Sequence, residues 1–341
     1  MLQSKQFSIG LILVVLITIA AISVQITSDS STEFKPNQLL FPELGSVIEQ
    51  VDEVFIRDDE ITIQIERKDN AWGMPEKAMY PINYDKLKSI MSALKDAHLL
   101  ETKTANRDKY HRLKVADIGQ EGSGILLELR HQGKAVASLI VGDSSKGLSG
   151  QYVRKPGEAQ SYLVDKSLDI SAQKTDWLNV KILDYKQADI RSMERAEGAK
   201  QYILSRETAT DTFTLSPQLK ENEKLGEEYK LNGVVSVLSG FELKDVFASQ
   251  NTVSPGSVVR SNVSVYETFD GLKIRLTYQK TNEDRHFVTV STEANANAES
   301  AVKETSESLN KSLSPWVFEI SAFNGDELAR TRGDLVTVLS P

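Results

Sequence analysis

The run Gly142-Asp143-Ser144-Ser145-Lys146-Gly147 holds the most suggestive order of reactive residues in the chain. A serine beside an aspartate could be an activated nucleophile, and a glycine-rich loop with a lysine could cradle phosphate. Neither order is complete. A nucleophile elbow requires Gly-x-Ser-x-Gly and a phosphate loop Gly-x-x-x-x-Gly-Lys-Ser/Thr, each on a turn from strand to helix. This run joins two segments of strand character instead. It reads as a structural turn, as do Gly122-Ser123-Gly124 and Gly147-Leu148-Ser149-Gly150.

The histidines, His98, His111, His131 and His286, lie far apart and outside any ligand spacing such as His-Glu-x-x-His. Asp58-Asp59-Glu60 and Glu221-Asn222-Glu223 gather carboxylates but lack the spaced ligands, central glycine and distal glutamate of a calcium loop. They are expected to be solvated turns. Glu227 and Glu228 could be pictured as an acid and base pair, yet neighbours in sequence point apart on a strand or a helix. The absence of cysteine excludes disulfides, thiolate metal sites and a lipid-modified cysteine anchor. No catalytic residue, metal or cofactor is therefore expected. Trp72, Trp177 and Trp316 remain, and an exposed tryptophan can stack on a sugar or a peptide. Trp72 and Trp177 are the candidate ligand-binding residues, with core packing of all three as the alternative.

The elements that would carry these residues are mainly strands. Ile61, Ile63 and Ile65 alternate with polar neighbours at the period of a half-buried strand, after an apolar Val54-Phe55-Ile56. Asn83 can cap a helix bearing Leu87, Ile90, Met91 and Leu94 on one stripe. Hairpins are expected around His131-Gln132-Gly133-Lys134, Lys155-Pro156-Gly157-Glu158 and Asn282-Glu283-Asp284. Near Trp177 the organisation restarts: short strands at Ile190–Arg195, Gln201–Arg206 and Phe213–Leu215 precede a helix capped by Asn232 and carrying Val234, Val235, Leu238 and Phe241. Strands followed by one amphipathic helix thus occur twice, about 140 residues apart, which suggests a duplicated module. Ala294 to Leu313 has helical spacing with a thin apolar face, equally consistent with a mobile surface helix and a packed one. Pro315 to Ile320 is read as a final strand, and Asp326 as the cap of a short helix.

At the other end, Phe7 to Ile26 carries no charge and a nearly unbroken apolar run from Leu11 to Ile17. A helix of about 20 residues at about 1.5 Å each spans the roughly 30 Å hydrocarbon core. Lys5 and the amino terminus precede it, which favours a cytoplasmic N-terminus with the remainder outside. A cleaved signal ending at Thr18-Ile19-Ala20 or Ala21-Ile22-Ser23 is the alternative. The net charge of -8 and the lack of a basic run argue against nucleic acid as a partner. The fold class expected is α+β: a transmembrane helix followed by tandem modules of mainly antiparallel sheet, each with one or two packed helices. The expected divisions are 1–26 tail and anchor, 27–43 tether, 44–180 first module with a β-rich extension, and 181–341 second module with a C-terminal strand and helix region.

Ile61 to Arg67, then Trp72, Tyr80-Pro81 and the helix around Leu87 to Leu94, resemble the opening module of the bacterial family catalogued as domain of unknown function 4340. Leu139-Ile140-Val141-Gly142, Tyr152-Val153-Arg154 and Trp177-Leu178 are similar to its later features. The resemblance implies an anchored protein of the bacterial inner membrane, its C-terminal portion periplasmic or extracytoplasmic, acting as a noncatalytic accessory or scaffold subunit beside membrane transport proteins. It brings no catalytic residue to carry over. An extracytoplasmic glycan- or peptide-binding protein is the other reading.

Overall fold

The computed structural model describes residues 35–339 except 148, 197–200 and 250–255. The chain is mixed α+β, dominated by antiparallel sheet with few helices. It divides into two units: the first takes residues up to Trp72 and Asn83–Trp177, the second Gly73–Ile82 and Leu178–Pro341. No helix among the described residues is long and apolar enough to cross a membrane, and Phe7 to Ile26 lies outside them.

In the first unit, ordered structure begins before Leu44, within the stretch read as tether. Leu40 is buried, its amide and that of Asn37 donate to the carbonyls of Ala97 and Leu99, and Leu39 bridges to His98. A short helix α1 (Leu44–Val47) leads to β1 (Glu53–Arg57) and β2 (Thr62–Lys68). These pair Val54 with Ile65 and Ile56 with Ile63, so the alternating isoleucines face the core. After β3 (Ala71–Met74), helix α2 (Tyr84–Lys95) starts where expected, with the Asn83 side chain accepting from the Lys86 amide. It buries Leu87, Ile90 and Leu94 along one stripe. The remaining strands are β5 (Leu99–Thr102), β6 (Ile125–His131), β7 (Lys134–Ser144), β8 (Gln151–Arg154) and β9 (Ser161–Val164). Gln132 and Gly133 join β6 to β7 with φ of 50° and 73°, the left-handed pair a two-residue hairpin needs.

The second unit opens with the borrowed segment, where β4 (Tyr80–Pro81) pairs Tyr80 with Met74. Its sheet contains β10 (Lys181–Leu183), β11 (Ile190–Ala196), β12 (Tyr202–Ser205), β13 (Thr214–Ser216), β15 (Phe241–Ala248), β16 (Val258–Thr268), β17 (Leu272–Thr281), β18 (His286–Ala294) and β19 (Trp316–Ile320). A separate ribbon joins β14 (Glu223–Leu225) to β20 (Val336–Val338). Tyr80 sits edge-on to Trp316 at 5.0 Å between ring centroids and donates to the Asn179 carbonyl. The two main sheets share one connectivity. The first runs β3-β2-β1-β6-β7-β8-β9-β5, with β4 added outside β3, and the second β13-β12-β11-β16-β17-β18-β19-β15, with β10 added outside β15.

Several helix readings need correction. Helix α3 (Glu228–Val235) starts before Asn232, because Glu228 in its first turn suits the positive helix end while the Asn232 amide oxygen accepts from Gln187. Phe241 begins β15 instead of ending that helix. For the helix before Leu313, left open between mobile and packed, the packed form holds: α4 (Ser300–Leu313) lies on β18, where Asn310 exchanges bonds with the Thr292 backbone, and Val302, Ser306 and Leu313 are buried. Helix α5 (Ala322–Ala329) is capped by the Ser321 hydroxyl, which accepts from the Asn324 amide, so Asp326 lies inside it. Past β19 the chain continues through α6 (Arg332–Leu335) into β20, so Ile320 does not end the last strand.

Helix α5 also explains a buried cation. Arg195, fully buried, donates to Asn262 Oδ1 at 2.8 Å, Ser264 Oγ at 2.5 Å and the Glu327 carbonyl at 3.4 Å. Asn262, Arg260 and Tyr202 donate to the carbonyls of Leu328, Ala329 and Arg330. A helix leaves its last carbonyls unpaired and negative. Side chains rising from the sheet satisfy them, and that helix end supplies the counter-charge for Arg195.

Candidate functional site

Gly142, Asp143 and Ser144, read as part of a turn, are the end of β7, and the turn into β8 follows Ser144. A Cβ on Gly142 would stand 2.1 Å from the Leu113 carbonyl oxygen, and the Asp143 amide donates to that same oxygen. Close backbone approach explains the glycine. Gly122 is similar, with the His111 backbone 2.2 Å from where a Cβ would go.

The carboxylate clusters are committed to local structure. Asp58 accepts from the amides of Glu60 and Ile61, and Asp59 from the Gly119 amide and the Ser123 hydroxyl, which holds its carboxyl below the usual range. Glu223 is not a solvated turn residue: it lies in β14 and pairs bidentately with Arg332 at 2.7 and 3.1 Å. Glu227 and Glu228 are both exposed at the start of α3. The histidines stay apart: His98 lies beside Asp165 and His131 beside Asp52, while buried His286 bonds the Tyr278 hydroxyl at 2.9 Å.

The two candidate tryptophans meet different surroundings. Trp177 is 0% exposed, its indole donates to the Ser171 carbonyl, and the Lys86 ammonium stands 5.1 Å from the ring centroid. Full burial closes the ring to a ligand, which corrects its reading as a stacking platform. Trp72 is half-buried with the Arg67 guanidinium 5.6 Å from its ring.

Open surfaces among the described residues include a face of helix α2 and a two-stranded ribbon. Along helix α2, depressions of about 410 and 490 Å³ share Ser89. The first is lined by Asn83, Lys86, Ile90, Ser167, Asp169 and Asp176, the second by Asp85, Lys88, Ser92, Ala93, Asp96 and Lys166. Residues 85, 88, 89, 92 and 96 follow helical spacing, so the second depression runs along the solvent face of the helix. Lys86 is occupied with Trp177 and with Asp169 at 3.7 Å. Lys88 has no ion-pair partner among the described residues.

The other surface is the ribbon in the second unit. Gly226 donates to the Leu335 carbonyl and Leu339 to that of Asn222, which fixes the pairing so that Val336 and Val338 turn their backbone groups outward. Leu225, Val336 and Val338 share one face; Val338 is 63% exposed, and nearby Leu339 and Tyr229 of α3 are also open. Sequence reading missed this surface, because three-residue strands carry too little alternation to register.

A family model described as Domain of unknown function (DUF4340) matches residues 19–257. No curated protein and no solved structure matches the chain.

Proposed function

We propose, for a chain that belongs to the family described as domain of unknown function 4340, that it is a noncatalytic accessory or scaffold subunit held at a membrane by Phe7 to Ile26. Its partner is a component of a membrane transport system in the bacterial envelope, and residues beyond the anchor lie on the extracytoplasmic side. The observation that carries the reading is the ribbon, whose outer edge on β20 offers unpaired backbone groups, among the described residues, beside an exposed apolar face. Such edges recruit an added strand from another chain. β20 reads Val-Thr-Val and has no charge or proline to discourage pairing. The matching strand orders of the two sheets support tandem modules copied from one ancestor.

Photocrosslinking from Val338 in native membranes tests the proposal. The full chain should yield a discrete adduct with a membrane protein, lost in the Leu225→Asp, Val338→Asp double variant. A chain that crosslinks to nothing, or equally well in the double variant, rejects it. Under the alternative reading, a glycan- or peptide-binding protein, Trp72 is the remaining stacking candidate. Its half-exposed ring favours it over Trp177, and a ligand that shifts tryptophan emission in the parent but not in Trp72→Phe would establish it.

A further inference from the structure

We propose that the second depression on helix α2 receives the headgroup of a zwitterionic phospholipid, which lays the first unit on the bilayer. This rests on the anchor reading above and concerns a different surface from the ribbon. The first argument is position. The chain enters the first unit through Asn37 and Leu40, which bond to Leu99 and Ala97, immediately past the α2 terminus at Lys95 and one residue from Asp96 of the depression. Thr27 to Phe34 are the only residues between the end of the apolar run and the first described residue. Fully extended they reach at most about 30 Å, so this unit stays near the lipid surface.

The second argument is charge complementarity. Lys88 and Lys166 supply two ammonium groups and Ser89 and Ser92 two hydroxyls to the lining of the same depression, a donor set that suits a phosphodiester. Asp85 and Asp96 stand toward the two ends of the same helix face, about 16 Å apart along its axis, so that either one can meet a primary ammonium one ethylene away from the phosphate. A purely anionic ligand would meet both carboxylates, of which Asp96 has Lys95 at 3.7 Å and Asp85 has no ion-pair partner among the described residues. The neighbouring Lys86 is tied to Trp177 and Asp169, whereas among the described residues Lys88 has no ion-pair partner and Lys166 has Asp165 at 3.5 Å.

The native chain has no cysteine, so a single label can be placed without altering anything else. The full chain, carrying a fluorophore at Tyr84→Cys, an exposed position one helical turn before Lys88 that does not line the depression, would be incorporated into nanodiscs of phosphatidylethanolamine doped with a headgroup-nitroxide lipid. Lys134→Cys, on the hairpin turn between β6 and β7, is the comparison. Quenching should be strong at position 84 and weak at 134, and Lys88→Glu with Lys166→Glu should lower occupancy on the order of tenfold per lost charge-assisted bond. Replacing the lipid by phosphatidylglycerol should also reduce it, because the ammonium is gone. Equal quenching at both positions, or quenching indifferent to the lysines or to the lipid, overturns the proposal. Failure of the chain to elute with nanodiscs overturns the anchor reading and this one together, and is distinguished by that elution alone.

Discussion

Glu223 illustrates how one residue ties a small element together. Arg332 and the Lys220 amide hold its carboxyl down to about 2, from an ordinary value of 4.5. Between those values the unfolded chain binds the proton and the folded chain does not. The pair's stabilisation is therefore complete above about pH 4.5 and is lost as the pH falls toward 2. Urea midpoints measured across that range should decline more steeply in the parent than in Glu223→Gln. His286 works in a higher window. Burial lowers its pKa, so the neutral ring is the folded form, and its contribution is complete above about pH 6.5 and weakens as acid protonates the unfolded chain first. A Cβ on Gly325 would fall 2.0 Å from its Nδ1, so Gly325→Ala should destabilise the second unit sharply while leaving Trp72 and Trp177 of the first undisturbed.

At the scale of elements, the helix cap at Asn83 should cost about 1 kcal/mol on change to alanine, read as a shifted urea midpoint with unchanged slope. This cap was legible in sequence because a polar residue stood directly before a long apolar stripe. The isoleucine strand, the Gln132-Gly133 turn and the hairpin at Asn282 were legible for the same reason: local signals agreed with the tertiary outcome. Asn232 misled because its amide serves a neighbouring loop, a contact no local pattern announces. α4 looked thin because part of its adhesion is polar, through Asn310 and Ser306 to Thr292. The ribbon escaped because Glu223 and Arg332, its fastening, are far apart in sequence. Of the candidate tryptophans, nothing local told buried Trp177 from half-buried Trp72.

Across the whole molecule, the borrowed segment Gly73–Ile82 is the least local feature. Lys77 donates to Asp245 at 2.5 Å and stands over the Phe247 ring, while Tyr80, its phenol raised to about 12 by burial, packs on Trp316 and Phe318. Tyr80→Ala should cost about 3–5 kcal/mol, as for other large aromatic truncations. Its expected signature is a changed Trp316 environment in near-ultraviolet circular dichroism.

That segment also imposes a schedule on biosynthesis. The strands of the first unit are all available once Trp177 has been made, but Tyr80 must wait for Trp316 and Phe318. At about 5–20 residues per second the delay is on the order of tens of seconds. Throughout it, Met74, Tyr80 and Ile82 present apolar surface with no home, a window in which a chaperone has something to hold and a truncated chain would never be released.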